Sequence, residues 1–299
     1  FKLIDNQNNS HSFSVEKDSD GHKLLPVVDK VIPNVSIQSA YYGGSQTNYL
    51  ENGKLIGSED NIIREDLTVN FIYTSGISDV GIYARKNVFD LPLDPNDPIV
   101  GFSSDALSGK YGLISQAGID LNDGSWELLD GKTASGAAEG ALWRWITEAS
   151  GKSIKYRYDI IIVNGAGVYY YLDAGNVFID TVAPEIHDEF TFFALAGDAE
   201  NTADVIDFDS LKKIDLSTYT NDNVYAYFRI TDAASGIGEV YTYLSGVKTS
   251  LEKVTVRRSV DGVYSEEEYY RLLLTENLDY KIIAVDKATN VSESASFKP

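Results

Sequence analysis

The chain has 299 residues, 43% of them hydrophobic, with 45 acidic against 25 basic side chains and a net charge of −20. This composition is ample for packed cores and excludes global disorder; the negative field disfavours nucleic acid and anionic membranes, which are bound through positive patches. Cysteine and methionine are both absent, which excludes disulfides, zinc–thiolate sites and thiol nucleophiles.

No apolar run reaches the ~18 residues needed to span a bilayer, and no signal peptide is visible at Phe1. Phe1-Lys2-Leu3-Ile4-Asp5, Asn9 and the run from His11 to about Val15 match, far along the chain, the run ending Val285-Asp286, Asn290 and Ala295 to Phe297. Residues 1–27 are therefore expected to be the tail of a preceding repeat plus a linker. Two longer units follow, at 28–179 and 180–299. Val28-Asp29-Lys30-Val31-Ile32-Pro33-Asn34-Val35 corresponds to Ile179-Asp180-Thr181-Val182-Ala183-Pro184-Glu185-Ile186. Ser75-Gly76-Ile77 corresponds to Ser235-Gly236-Ile237, each after a strand-like run, Leu67 to Tyr73 and Val224 to Ile230. Tyr158 to Asn164 corresponds to Tyr280 to Asp286.

The first two signals lie 46 and 55 residues apart in the two units, but the last two lie 83 and 45 apart. The first unit therefore carries roughly 38 extra residues, an insertion expected at about 90–152. Runs of Val, Ile, Thr, Tyr and Phe broken by Gly, Asn, Asp and Ser predict short strands throughout. Within the insertion, Ala134, Ala137, Ala138, Ala141, Leu142, Trp145 and Ile146 fall at helical spacing, which predicts a helix over 137–149 ended by Gly151.

The segments IDTVAPEI, TDAASGIGEVYTYL and YKIIAVDKATNVSESASF of the second unit resemble the immunoglobulin-like repeats of bacterial surface proteins and giant adhesins. The family pattern is D-x-x-A-P, T-D-x-x-S-G-I and Y-x-I-x-A-x-D-x-A-G-N, and the second unit departs from it at Thr289, where glycine is usual. The first unit fits less closely: Ile32 replaces the linker alanine, Tyr73-Thr74 replaces Thr-Asp, and either Asn164 to Gly167 or Asp173-Ala174-Gly175-Asn176 stands for the last hairpin. The resemblance implies an all-β fold of tandem immunoglobulin-like β-sandwiches, the first with an insertion containing a short helix. It implies a non-catalytic structural or adhesive segment of an extracellular or cell-surface protein, an adhesin stalk or a surface-layer protein. The neighbouring domains of the same chain would be its partners, with a cell-surface glycan or protein as a further one. The lack of cysteine fits a bacterial or archaeal source better than an animal one, whose two sheets are commonly bridged.

The resemblance also suggests calcium at domain junctions. A hard cation needs several oxygen ligands, and Asp29, Asp173, Asp180, Asp232 and Asp286 are the candidates; the plainer reading is that they cap turns. Trp126, Trp143 and Trp145 all fall in the insertion and, with Tyr111, Glu127 and Asp130, suggest a stacking platform for glycan. The competing reading is a satellite core, since large aromatics mostly pack; on a helix Trp143 and Trp145 would face different sides. Catalysis has little support: no G-x-S-x-G elbow occurs, and carboxylates are too many for any pair to be informative. An accessory region of a secreted polysaccharide-degrading enzyme is the remaining alternative. A Lys30–Asn164 crosslink is conceivable, and Asn8, Asn34 and Asn290 open N-glycosylation sequons.

Overall fold

A computed structural model describes residues 2–4, 10–12, 31–43, 47–74, 80–88, 110–129, 132–133, 141–197, 205–215, 220–260 and 262–298, with only the backbone at 2–4, 10–12, 88, 132–133, 141–144 and 260. Strands β1 (Lys2–Ile4) and β2 (Ser10–Ser12) form an antiparallel hairpin.

The first sandwich holds β3 (Asn34–Tyr42), β4 (Thr47–Asn48), β5 (Leu50–Glu51), β6 (Lys54–Ile56), β7 (Leu67–Thr74), β8 (Val80–Val88), β9 (Tyr111–Leu113), the short helix α1 (Ile114–Ala117), β10 (Trp126–Leu128), β11 (Lys132–Thr133), β12 (Ala141–Thr147), β13 (Ser153–Asn164) and β14 (Val168–Asp180). One sheet runs β10-β8-β13-β14-β6-β5 with β9 also on β14, and the other runs β11-β12-β7-β3-β4. Alternation divides each strand between faces. Ile160 and Ile162 of β13 point into the core with Val69, Phe71 and Ile82, while Ile161 points to the outer face.

The second sandwich holds β15 (Glu185–Leu195), β16 (Val205–Asp207), β17 (Lys213–Ile214), β18 (Val224–Thr231), β19 (Ile237–Leu244), β20 (Val247–Ser250), β21 (Glu252–Val260), β22 (Val263–Leu274), β23 (Ile283–Asp286) and β24 (Val291–Glu293). Its sheets run β16-β21-β22-β18-β15-β17 and β20-β19-β23-β24. Ala226, Phe228 and Ile230 enter its core with Ile282 and Ala284, and Tyr227 packs on the outer face with Phe192 and Tyr269. These are immunoglobulin-like β-sandwiches, two sheets closed over one core.

The sandwiches share register where the sequence signals match. Asn34, after Pro33, pairs with Thr74; Glu185, after Pro184, pairs with Thr231. Hairpins β1–β2 and β23–β24 also pair alike, Lys2 with Ser12 and Ile283 with Glu293, ten residues apart in each. The first Ser-Gly-Ile signal lies outside the described residues.

The helix expected over 137–149 is corrected: residues 141–147 form β12, and 134–140 lie outside the described residues. Helical spacing of apolar residues is a weak prior that tertiary pairing overrides. Here β12 zips along β7, from Ala141 opposite Tyr73 to Thr147 opposite Leu67, and Trp145 lies near-parallel to Phe71 with ring centres 6.5 Å apart.

Buried tyrosines set the alkaline limit. Burial pushes the phenols of Tyr49 and Tyr227, both 0% exposed, from 10 up to about 12, and raises Tyr158 and Tyr171 further. Unfolded tyrosines ionise near pH 10, so between pH 10 and 12 the unfolded chain binds fewer protons and stability falls as pH rises, by about 1.4 kcal/mol per tyrosine per pH unit. Urea midpoints at pH 9 and pH 11 are expected to show this fall; equal midpoints would contradict it.

Candidate metal centre

Three of the five aspartates suggested for calcium meet at the border of the two sandwiches. One carboxylate oxygen from each of Asp180, Asp232 and Asp286 lies within 4.8 Å of the others. Their places follow from chain geometry. Asp180 is the last residue of β14, Asp232 follows β18, and Asp286 ends β23. Carboxylates favour strand ends because they accept the N–H groups that a turn leaves unpaired. Asp232 Oδ1 accepts from Ala234 N at 3.0 Å and Gly236 N at 2.6 Å. Asp286 accepts from Asn290 N and Asn290 Nδ2, both at 2.8 Å. Asp180 accepts from Ser153 Oγ and Val182 N through Oδ1, and from Ser235 N through Oδ2.

These bonds orient the carboxylates but do not neutralise them. Asp180 is 0% exposed and Asp286 2%, and none of the three has a lysine or arginine ion-pair partner among the described residues. Burial first, and then repulsion from Asp180 and Asp232, holds the Asp286 carboxyl above its ordinary value against the opposing bonds from Asn290. A second feature lies in the same turn: Ser235 is 5% exposed, and its Oγ has no hydrogen-bond partner among the described residues, although its N–H is 3.1 Å from Asp180 Oδ2. A buried hydroxyl left unpaired costs about 1–3 kcal/mol. A hard cation needs several oxygen ligands gathered in one place.

The border is also tied by charge. Glu59 of the first sandwich pairs with Lys287 of the second at 3.5 Å and with Lys155 at 3.3 Å. Arg64 Nη1 donates to the carbonyl of Thr289 at 3.0 Å. Thr289 is exposed and has φ 67, a left-handed conformation that β-branched residues rarely adopt. Replacing Thr289 with glycine is expected to stabilise the second sandwich by about 1 kcal/mol by relieving that strain. Unchanged or lower stability in urea titration would show that the threonine is not strained.

The other suggested residues lie elsewhere. Asp173 is seven residues back along β14, roughly 20 Å away, where it pairs with Lys54 and accepts from Gly175 N; Asp29 and Lys30 lie outside the described residues. Asn164 spends its side chain on a turn, accepting from Ala166 N and Val168 N and donating to Val31 O. Asn290 similarly donates to Asp180 O at 2.9 Å.

The structure does not bring Trp126 and Trp145 together. Trp126 is 8% exposed and packs with Ile161, Tyr169 and Tyr171 on the outer face of the β8–β13–β14 sheet. Trp145 sits on the opposite, core side of that sheet, 5.1 Å from the Tyr158 ring. Trp143 is paired on β12 opposite Phe71, Tyr111 is 57% exposed on β9, and Glu127 pairs with Lys86; Asp130 lies outside the described residues.

What the sequence reasoning missed is a polar cluster beneath Trp126. Asp159, 0% exposed, accepts from Arg85 and Asn87 through Oδ2 and from Tyr171 through Oδ1. The available signal was Arg85 and Asn87 two apart on one strand, facing an acid in an apolar run.

No family model matches the chain, and no curated protein does. Among solved structures, the C-terminal domain of the Streptococcus agalactiae AgI/II polypeptide BspA matches at 12% identity over 88% of this chain and 98% of that one, with a TM-score of 0.30. The titin domains z1z2, solved in complex with telethonin, match at 13% identity over 91% and 96%, with a TM-score of 0.22. The sandwich architecture stands on the strand pairing and the two cores themselves.

Proposed function

We propose that this chain is a non-catalytic spacer segment of an extracellular surface protein, in which two immunoglobulin-like sandwiches are locked in line by a calcium ion at Asp180, Asp232 and Asp286. The observation that carries the reading is the trio of carboxylates at the border without a basic partner among the described residues. Asp180 belongs to the last strand of the first sandwich, whereas Asp232 follows β18 and Asp286 ends β23 in the second. An ion held by all three therefore ties the end of one unit to the beginning of the next. Calcium fits better than magnesium because it accepts flexible, irregular oxygen shells and needs fewer waters. The resemblance of the linker and hairpin signals to adhesin repeats supports the surface setting, as does the negative charge. Among the described residues no helix is long and apolar enough to cross a membrane.

Melting the chain in calcium and in chelator tests the reading. A ligand that binds only the folded form stabilises it by about 2.7 kcal/mol at a hundredfold excess over its dissociation constant, a rise of roughly 10 °C for a unit of this size. The rise is expected in the parent and absent in Asp286→Asn, which keeps the shape but removes a charge. Small-angle scattering should show a narrower spread of lengths with calcium. An unmoved melting point at millimolar calcium would sink the proposal.

A further inference from the structure

Strand β15 breaks step with its neighbour in the second sandwich. His187 pairs with Arg229 and Phe192 with Tyr227, so Asp188 to Thr191 bulge out opposite the single residue Phe228. Bulges re-aim side chains and recur beside functional sites. This one lays Phe190 against two guanidinium groups, Arg229 at 4.7 Å and Arg258 at 5.9 Å from the ring centre. Arg258, on β21, also lies 5.7 Å from the Phe192 ring, 5.6 Å from Tyr269 and 3.9 Å from Phe208. Aromatic rings on several sides therefore fix this half-buried side chain. Its charge has no counterpart. Arg85, Arg229, Arg257 and Arg271 each pair with a carboxylate. Arg258 pairs with none among the described residues, and its Nε is buried without a hydrogen-bond partner there. Asp207 is engaged by Arg257 at 3.6 Å, Asp209 by the N–H of Ser259 at 3.4 Å and Glu267 by Arg229 at 3.4 Å. A second cation shares the Phe208 ring: Lys213 Nζ lies 3.7 Å from its centre and donates to the Phe208 carbonyl at 3.1 Å. Lys213 is exposed and has no ion-pair partner among the described residues.

We propose that Arg258 and Lys213 bind a small carboxylate ligand on the outer face of the second sandwich. Two like charges on one ring repel each other, and a π-face offsets a partly exposed cation by only about 0.5–1 kcal/mol. An oxyanion relieves both at once. The guanidinium fork matches the two oxygens of a carboxylate, and the surrounding rings hold that fork before the ligand arrives, which lowers the ordering cost of binding. Lys213 adds a second, mobile donor. The net charge of −20 sets the ligand's size, because its long-range field repels a polyanion; a molecule with one or two negative charges can still reach a local positive spot. No border aspartate takes part, so this site stands apart from the calcium reading.

The test follows the arginine Nε–H and backbone amide NMR signals of the full chain while sodium acetate replaces sodium chloride at constant ionic strength. The Arg258 Nε–H signal, assigned by its loss in Arg258→Lys, is expected to move with amides of residues 206–214 and 256–259. Acetamide, nearly the same shape without the charge, should move none of them. Affinity should fall about tenfold or more in Arg258→Lys, which keeps the charge but loses the fork, as loss of a charge-assisted hydrogen bond implies. Lys213→Gln, at an exposed position, should weaken binding too and serves as an independent variant should the first misfold. Equal shifts with acetamide, shifts confined to other surfaces, unchanged affinity in both variants, or no movement on complete exchange of chloride for acetate would overturn the assignment.

Discussion

Replacing Asp159 with alanine is expected to lower the stability of the first sandwich by about 3 kcal/mol, a fall in melting temperature of roughly 6–12 °C. The carboxylate is 0% exposed, and its Oδ2 accepts from Arg85 Nη2 at 2.7 Å, Arg85 Nε at 3.1 Å and Asn87 Nδ2 at 2.6 Å. Its Oδ1 accepts from the Tyr171 hydroxyl at 2.8 Å. The Arg85 side chain is 13% exposed and lies over the Trp126 ring at 5.2 Å, so it has little water to fall back on. Truncation removes the carboxylate that Arg85 faces, and losing one member of a buried pair costs more than replacing both. Replacing both residues with apolar ones, Asp159→Leu with Arg85→Met, is expected to recover most of the loss. Calorimetry on the parent and the two variants reads the sequence of losses. If the single variant melts with the parent, the cluster contributes nothing; if the double variant is the worst of the three, the network acts as a whole rather than as a charge pair.

Strands with strong local signals were legible in the sequence, and so were the three border aspartates. Leu67 to Tyr73 and Val224 to Ile230 are rich in β-branched and aromatic residues, and both emerge as central strands, β7 and β18. Asp180, Asp232 and Asp286 were readable because each sits at a strand end beside a turn signal, and sandwich topology gathers those ends at one pole. Asp173, a candidate of the first unit together with Asp29, also precedes a glycine in a hairpin-like pattern; its surroundings are set by Lys54, 119 residues away, and Asp29 lies outside the described residues. The stretch 141–147 misled for a related reason. Its alanine and tryptophan spacing fits a helix, but its partner β7 lies some seventy residues upstream, and a local window cannot contain that pairing. Asp159 was missed because one acid in the run Tyr158-Asp159-Ile160-Ile161-Ile162 reads as a surface position, while its partners lie 74 and 72 residues earlier.

Gly175→Ala is expected to destabilise the first sandwich by about 3–5 kcal/mol, well beyond an ordinary glycine replacement. In β14 the register shifts at this point. Tyr158 pairs with Gly175 and Asp159 with Asp173, which leaves Ala174 as the extra residue of a bulge. Gly175 has φ +87, and there β6 runs parallel alongside, with Gly175 opposite Leu55. A Cβ at Gly175 would strike the Leu55 carbonyl and come within 2.7 Å of Leu55 N, both of them backbone atoms that cannot swing away. Relief requires β6 to lift off, which breaks its pairing and withdraws Leu55, 3% exposed, from the core. Gly53→Ala separates the two causes. Gly53 has φ +77 but nothing within 4 Å of the added Cβ, so it isolates the conformational penalty, about 1 kcal/mol. Urea denaturation of both variants should therefore differ by about 2 kcal/mol or more, the part due to the displaced strand. Equal losses would mean that β6 yields without cost, and that the left-handed backbone alone accounts for the glycine at this bulge.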